Sequence, residues 1–350
     1  MRLKLLGAPS KALLTQGSMA RGCDLCFPGL KAVIFITGLC DDSCFYCPVS
    51  RDKLGHDVFY INEERVHGIG DLVVEVERMG ASGASITGGD PLIAYDRVVR
   101  VVRALKEAFG PGFHIHLYTS GRYATIEALI GLWRAGLDEI RFHPTLPGFT
   151  SRIKLAKRYT GMSVGVEMPL APGMEEWAKR VITEADAYGA DFININEMEI
   201  VEPNSAQLLA RGYRESKRRP FTVEGSYEAI LSILEWAARN VKVPVHFCPA
   251  SFKDSIQTKN RFRRLAMLDR RWYEEPTPQG TIRWGELRGY QKEPPEGLGE
   301  KCNGHTLCTP PVEELLSTIA GRYGGTPFIV EAHPTRNRKP IISETMITRA

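Results

Sequence analysis

The sequence lacks any hydrophobic run long enough to cross a membrane, because its longest apolar segments have the length of single β-strands. Residues 1–22 begin with positive charge but contain no apolar core of a signal peptide, so we expect none. There is no low-complexity tract, and no internal repeat beyond an alternation of strands and helices. These absences favour a soluble, cytoplasmic protein without a membrane partner.

A strong charge of one sign is also missing. The chain has 45 Lys and Arg residues against 41 Asp and Glu residues, for a formal net charge of +4. General nucleic-acid binding usually requires a larger basic surplus, although an RNA or an acidic small molecule stays open as a substrate. Two basic segments, 211–219 and 254–272, are either solvated helix faces or contacts for an anionic partner.

Disulfides are not expected, because a cytoplasmic location keeps thiols reduced. The eight cysteines are therefore predicted to be metal ligands or free thiols. Cys23 and Cys26 form a close pair, and Cys40, Cys44 and Cys47 form a group of three. Cys302 and Cys308 form a looser pair, and Cys248 stands alone.

Short apolar runs alternate with segments of helical periodicity from about residue 31. Buried strands that alternate with helices are typical of parallel βα units, so six units predict an α/β fold, a full or partial TIM-type barrel. A doubly wound sheet is the alternative. The predicted strands are 31–37, 84–87, 113–118, 138–142, 162–167 and 191–195, and the predicted helices are 62–79, 95–109, 123–135, 150–159 and 174–188.

Three regions follow from this pattern. Residues 1–30 form an N-terminal segment with the Cys23–Cys26 pair, residues 31–247 the barrel, and residues 248–350 a C-terminal extension. The barrel region ends with a helix near 226–240 and a short strand, 243–247. The extension is predicted to contain a basic helix, 254–272, a linker rich in proline and glycine, and a last strand, 327–331.

The group of three cysteines follows the first strand in the segment GLCDDSCFYCP. Proteins normally ligate the four irons of a [4Fe–4S] cluster with four cysteines, so three thiolates leave one iron open. Zinc with a fourth ligand from elsewhere, or three free thiols, is the alternative. Zinc sites usually combine two separated pairs, and therefore the spacing of Cys40, Cys44 and Cys47 favours a cluster.

With Tyr46 directly before the last cysteine, the motif resembles that of the radical S-adenosylmethionine (SAM) superfamily, and most closely the group related to pyruvate formate-lyase activating enzyme. The resemblance implies a (β/α) barrel in which the amino and carboxylate groups of SAM chelate the open iron. An electron from a donor such as ferredoxin or flavodoxin would cleave SAM to a 5′-deoxyadenosyl radical. That radical would abstract hydrogen from a protein, as in glycyl-radical activation, from an RNA or from a small molecule such as a cofactor precursor. The other hypothesis is a non-catalytic zinc- or nucleic-acid-binding protein.

Gly88, Gly89 and Asp90 follow the second strand. Glycines permit a close backbone approach, and an acidic side chain at a strand end suits an ammonium group. The resemblance implies that this segment binds the amino group of SAM, with Asp90 where Glu is commoner in the family.

Polar residues also end the later strands. Such clustering at strand ends predicts a binding site, although Asn in particular is equally frequent in turns and helix caps. The candidate catalytic residues are Arg141, His143 and Glu167. The candidate cofactor-binding residues are Tyr46, Gly88, Gly89, Asp90, Ser120, Glu167 and Asn194.

The Cys23–Cys26 pair has the spacing of half a zinc or iron–sulfur site. Cys302 and Cys308 could complete a structural zinc site, whereas Cys248 would leave an open position, as in family members with a second cluster. We favour Cys23, Cys26 and Cys248 as auxiliary ligands, because Cys248 ends a strand. A chance pair of buried thiols is the remaining alternative.

Overall fold

The computed structural model describes residues 4–6, 12–15, 17–145 and 148–347. The chain divides into two compact units, one comprising residues 1–75 and 81–257, the other residues 76–80 and 258–350. This division lies somewhat after the predicted end of the barrel at residue 247. None of the helices in the described ranges has the length and apolar composition of a membrane span.

The first unit is built on one large sheet. Its strands are β1 (Lys4–Leu6), β2 (Ala12–Leu14), β3 (Lys31–Phe35), β4 (Tyr60–Ile61), β5 (Glu64–Arg65), β6 (Gly83–Thr87), β7 (His114–Thr119), β8 (Glu139–Phe142), β9 (Ser163–Leu170), β10 (Phe192–Glu197) and β11 (Val245–Cys248). Its α-helices are α1 (Arg21–Cys26), α2 (Ile69–Met79, whose end groups with the second unit), α3 (Tyr95–Phe109), α4 (Ile126–Ala135), α5 (Thr150–Tyr159), α6 (Glu175–Ala187), α7 (Glu202–Ala210), α8 (Ser226–Asn240) and α9 (Ala250–Phe252). A 3₁₀-helix, Pro91–Ala94, precedes α3, and a π-helix, Lys253–Thr258, follows α9.

Seven strands run parallel in the order β3-β6-β7-β8-β9-β10-β11 and form the centre of the sheet. The predicted parallel α/β fold is confirmed, with 245–248 as a seventh strand in the same sheet. Short antiparallel hairpins, β4–β5 and β1–β2, extend its two edges, and the strand order is an open path over the described residues. The carboxyl ends of parallel strands meet at one edge of a sheet, where their loops can form a site.

The first predicted helix begins later than expected, at Ile69 rather than residue 62. The intervening residues form the β4–β5 hairpin, whose turn at Asn62 has a positive φ of 51°. Asp71, in the first turn, stabilises this helix start, because its carboxylate accepts the backbone N–H groups of His67 and Gly68. The helix α7 was not predicted, since residues 202–221 read as a polar, basic segment.

The second unit is built on an antiparallel sheet, of which the sequence analysis predicted only one strand. Its strands are β12 (Glu275–Pro276), β13 (Ile282–Arg288), β14 (Glu300–Asn303), β15 (Thr306–Thr309), β16 (Thr326–Ala332) and β17 (Ile341–Met346). They are ordered β14-β15-β13-β16-β17, with β12 beside β13. Its helices are α10 (Lys259–Leu268) and α11 (Glu313–Tyr323), and α11 packs Leu316 and Ile319 against Leu287 and Ile329 of the sheet.

Cys302 and Cys308 form a disulfide, so the prediction of metal ligands or free thiols is wrong for this pair. The two residues lie on the paired strands β14 and β15, and this pairing brings their Cα atoms to 5.8 Å, within the disulfide range. Neither sulfur is then free to complete a zinc site with Cys23 and Cys26.

Candidate active site

The loops after the parallel strands surround a cavity of about 650 Å³. Each successive strand contributes polar residues at its carboxyl end, as expected for a βα fold. Ten of the fifteen predicted site residues line this cavity, namely Cys40, Cys44, Tyr46, Cys47, Gly88, Gly89, Asp90, Ser120, His143 and Glu167. Arg141 and Asn194 instead line a second, smaller cavity of about 370 Å³.

The cysteine loop is anchored at its start by Gly38. The Gly38 N–H donates to the carbonyl of His56, and the Gly55 N–H donates back to the carbonyl of Gly38. A Cβ at Gly38 would lie 1.7 Å from the carbonyl oxygen of Lys53, so only glycine fits. This close approach sets the direction in which the chain enters the cysteine loop.

Gly88 and Gly89 pack against the cysteine loop from the other side. The Gly89 N–H donates to the Thr37 carbonyl and the Asp90 N–H to the Leu39 carbonyl, both at 2.8 Å. A Cβ at Gly88 would lie 2.3 Å from Thr37 O, and one at Gly89 would lie 2.2 Å from Leu39 O. The glycine pair therefore permits a close approach to the backbone that carries the cysteines, in addition to lining the cavity.

The three cysteines of this loop are half-buried and share the cavity wall. The Asp42 N–H donates to Cys40 Sγ at 3.4 Å, and burial raises the pKa of Cys44 to about 11. Their three sulfur atoms do not all lie within 4.8 Å of one another, whereas tetrahedral zinc would hold sulfurs ~3.8 Å apart. The wider spacing fits a polynuclear cluster better than one ion.

Asp90 is buried, and its carboxylate accepts hydrogen bonds from neighbouring residues of the protein. The carboxylate oxygens accept the Leu92 N–H at 3.0 Å, the Thr119 hydroxyl at 2.9 Å, and the N–H and hydroxyl of Ser120 at 3.1 and 2.6 Å. Asp90 thereby caps the 3₁₀-helix and joins the ends of β6 and β7. Ionised carboxylates accept about four hydrogen bonds, so its capacity is nearly filled.

Tyr46 belongs to a chain of hydrogen bonds across the cavity wall. Its hydroxyl lies 2.9 Å from His143 Nε2, and His143 Nδ1 lies 2.8 Å from the carbonyl of Glu167. Because a carbonyl only accepts, Nδ1 carries the proton and Nε2 accepts from Tyr46. Burial lowers the pKa of His143, so this histidine is neutral. The side-chain amide of Asn204 donates a hydrogen bond to the backbone carbonyl of Tyr46.

Arg141 and Glu167 form the centre of a buried polar network. Arg141 donates to Glu139 at 2.6 Å and to Glu167 at 2.7 Å, while Asn194 and Asn196 each donate to Glu167 at 3.0 Å. Burial opposes ionisation of Glu167, but the Arg141 cation and the two amides outweigh it and lower the pKa to about 2. The network holds an ionised carboxylate in the wall between the two cavities.

The smaller cavity brings together the three predicted auxiliary residues, Cys23, Cys26 and Cys248. It also contains two residues that the sequence analysis missed, His246 and Lys31. A signal for His246 existed, because side chains alternate along a strand and His246 precedes Cys248 by two positions. No comparable signal marked Lys31, since it opens an apolar strand.

The sequence matches the family model of the Radical SAM superfamily over residues 34–190. A Methanocaldococcus jannaschii protein, described as a candidate glycyl-radical enzyme activating enzyme, is 34% identical over 282 residues. This alignment covers 77% of the present chain and 73% of that protein.

Solved structures show weaker similarity. SuiB of Streptococcus suis, bound to the precursor peptide SuiA, has a TM-score of 0.47 and 11% identity, covering 63% of this chain and 48% of that chain. Coproporphyrinogen III oxidase of Escherichia coli has a TM-score of 0.40 and 11% identity, covering 59% and 52%. The chain thus spans about half the length of these structures, and similarity at this level carries no information about activity.

The donor set at the cysteine loop fits the group that this superfamily binds, since three thiolates share one cavity with polar residues from the neighbouring strands. Together, the match to the family model and the 34% identical relative show to which family the chain belongs. The chain belongs to the radical SAM superfamily, and it is an enzyme that uses a [4Fe–4S] cluster and S-adenosylmethionine.

Proposed function

We propose that this enzyme abstracts a hydrogen atom from an extended segment of a partner protein, as an activating enzyme of a glycyl-radical enzyme does. The observation that carries the proposal is the cavity of about 650 Å³ that begins at the cysteine loop. Single-ligand sites have volumes of about 300–1,000 Å³. After SAM has bound there, the remaining space suits one residue of an extended chain rather than a folded domain.

Cys40, Cys44 and Cys47 would hold the cluster. When bound, the cluster supplies the electron that cleaves the sulfonium carbon–sulfur bond of SAM. Asp90 and the backbone of Gly88 and Gly89 would hold the amino group of SAM. The carboxylate of Asp90 can accept an ammonium group in place of one of its present hydroxyl donors, Thr119 or Ser120.

The three candidate catalytic residues are engaged by protein partners and are not arranged for acid–base catalysis. Arg141 is paired with two carboxylates, His143 uses both ring nitrogens in hydrogen bonds, and Glu167 accepts from three donors. None of these groups is poised to transfer a proton. We therefore assign them as positioning residues that shape the cavity around SAM and the substrate.

An RNA substrate is less well supported. In the basic segment 211–219, the Arg211 guanidinium lies 4.6 Å from the centre of the Phe45 ring, and Arg219 pairs with Glu197. In the predicted basic helix, Arg264 donates to the carbonyls of Met79 and Gly80. Arg219 and Arg264 are therefore engaged by protein acceptors, whereas Arg211 is exposed to solvent. A non-catalytic metal- or nucleic-acid-binding protein is likewise not favoured.

The radical reaction needs an external one-electron donor, for which we propose ferredoxin or flavodoxin. The test uses the full chain, reconstituted anaerobically, with reduced flavodoxin and SAM. A glycyl-radical enzyme of the same organism, deuterated at its glycine Cα positions, serves as the substrate. We expect deuterium in the released 5′-deoxyadenosine and a glycyl-radical signal on the partner.

Release of 5′-deoxyadenosine without deuterium, in the presence of every glycyl-radical enzyme of that organism, would refute the protein substrate. A parallel reaction with total RNA from the same organism, deuterated on its ribose and bases, provides the comparison. Deuterium transfer from this RNA alone would favour the other substrate class.

A further inference from the structure

We propose that the smaller cavity, of about 370 Å³, holds a second iron–sulfur cluster ligated by Cys23, Cys26, Cys248 and His246. This site is separate from the cysteine loop, and the proposal does not depend on the identity of the substrate. Both cavities share wall residues, among them Tyr118, Glu167 and Asn196, so the second cluster would lie next to the SAM pocket.

The first two ligands come from helix α1. Cys23 and Cys26 are three positions apart, a spacing that places both side chains on one helix face. The absence of a side chain at Gly22 lets the helix approach closely, because a Cβ there would lie 2.5 Å from His116 Nδ1 and 2.7 Å from Arg141 Nη2. The helix thereby directs its two cysteines at the cavity.

The other two ligands come from β11. His246 and Cys248 are two positions apart on this strand, so both side chains point to the same side of the sheet. Their partners on β10 are Asn194 and Asn196, which line the same cavity. Two ligands from a helix and two ligands from a strand therefore line the same cavity.

His246 is in the tautomer that binds metals. The side-chain nitrogen of Asn194 donates to Glu167 and to Cys23 Sγ, so its oxygen, 3.2 Å from His246 Nδ1, is an acceptor. Nδ1 therefore carries the proton, and Nε2 keeps a free lone pair. This Nε2 is buried without a hydrogen-bond partner, and the residue is 4% exposed. Metal-binding histidines typically show this arrangement, with one nitrogen held by a neighbour and the other on the metal.

The size of the site favours a cluster over a single ion. No three of the four ligand atoms lie within 4.8 Å of one another, whereas a tetrahedral zinc site with sulfur ligands needs ~3.8 Å. The cavity between them is much larger than one ion. Thiolates combined with imidazole are a ligand set that iron–sulfur clusters use.

The charge of the cavity wall suits an anionic group. Lys31 is buried, and its ammonium has a neutral partner, His116 Nε2, at 3.3 Å. Within the described ranges no carboxylate pairs with Lys31. A cluster with three thiolate ligands carries a net negative charge, which would compensate this buried cation.

The test counts iron and acid-labile sulfide in anaerobically reconstituted full-length protein. We expect about eight irons per chain in the wild type and about four in a C23A/C248A variant. A C302A/C308A variant, which removes two cysteines of the second unit, should keep about eight. About four irons in the wild type, an unchanged count in C23A/C248A, or zinc in place of the additional iron would overturn the proposal.

A complementary variant separates this proposal from the proposed function. In C40A/C44A/C47A, we expect about four irons and a reduced cluster whose electron paramagnetic resonance (EPR) spectrum does not respond to SAM. Pulsed EPR of this variant should detect an imidazole nitrogen coupled to the cluster, and His246→Gln should remove that coupling. A variant without iron would contradict the second cluster, and a cluster without nitrogen coupling would contradict His246 as its ligand.

Discussion

The two groups of three cysteines are presented by different kinds of structure. Cys40, Cys44 and Cys47 share one half-buried loop, which a few backbone contacts anchor between Gly38 and the glycine pair 88–89. The other three cysteines are far apart in the sequence of the first unit. Cys23 and Cys26 lie on helix α1, and Cys248 lies on the seventh parallel strand, β11.

One parallel sheet can therefore bring cysteines together in two ways. The loop site depends on local backbone geometry, whereas the assembled group depends on the whole sheet bringing α1 and β11 together. Between the two cavities lies the polar network of Arg141 and Glu167. Variants of the loop should therefore abolish activity without unfolding the protein, and variants of the network should lower stability.

The largest effect is expected at the loop. Replacing Cys44 by Ala would remove one of the three proposed ligands. We expect release of 5′-deoxyadenosine to fall below detection while the melting temperature of the apoprotein stays within a few degrees. Chromatography of the products after reaction with dithionite and SAM measures this. C302A/C308A is the matched control and should remain active, whereas an active C44A variant would contradict the ligand assignment.

A large loss of stability is expected in the network. Arg141→Met leaves Glu139 and Glu167 buried without their cation, at a cost of about 3–5 kcal/mol. Lys157→Met breaks a more exposed pair with Asp191 and should cost less than about 1 kcal/mol. Urea unfolding of both variants measures the contrast, and equal costs would show that the Arg141 network does not stabilise the parallel sheet.

Acid should weaken the network through Glu167. The pKa of this residue is about 2 in the folded protein and 4.5 in the reference state, so its stabilisation is complete above pH 4.5. It is lost as the pH falls from about 4.5 towards 2, and it amounts to at most about 3 kcal/mol. Glu167→Gln should therefore lose less stability than the wild type between pH 7 and pH 3. Parallel acid-unfolding curves for the two proteins would refute this.

The smallest effect is expected on SAM affinity at Asp90. Thr125→Ala removes a single helix cap and should cost about 1 kcal/mol of stability, whereas Asp90→Ala should cost more, because four hydrogen bonds end on this buried carboxylate. Only Asp90→Ala should also weaken SAM binding, by about tenfold or more, because it removes a charged acceptor. Equilibrium dialysis with SAM measures this difference. Equal SAM affinities in the two variants would restrict Asp90 to its capping role.

Periodicity predicted the parallel strands well, because strands buried on both faces appear as continuous apolar runs. It could not predict the hairpins β1–β2 and β4–β5, whose strands have only two or three residues. The antiparallel sheet of the second unit was largely missed, since β13 and β16 are only partly buried and β14 and β17 contain no buried residue.

The cysteine loop could be recognised in the sequence because its three cysteines lie within one short segment. Residues that act through long-range packing could not be found in this way. Gly22 matters because of His116 and Arg141, and Asn204 matters because it holds Tyr46. The Cys302–Cys308 disulfide was missed because the pairing of β14 and β15, which brings the two residues together, has no signal in cysteine spacing alone.

The open iron of the loop cluster is the central claim, and EPR tests it directly. The C23A/C248A variant would isolate the cluster that we propose Cys40, Cys44 and Cys47 to hold. Its spectrum is recorded after reduction, before and after addition of SAM. We predict a clear shift of the g values, because SAM would bind an iron that no cysteine occupies. A spectrum that SAM leaves unchanged would contradict the account.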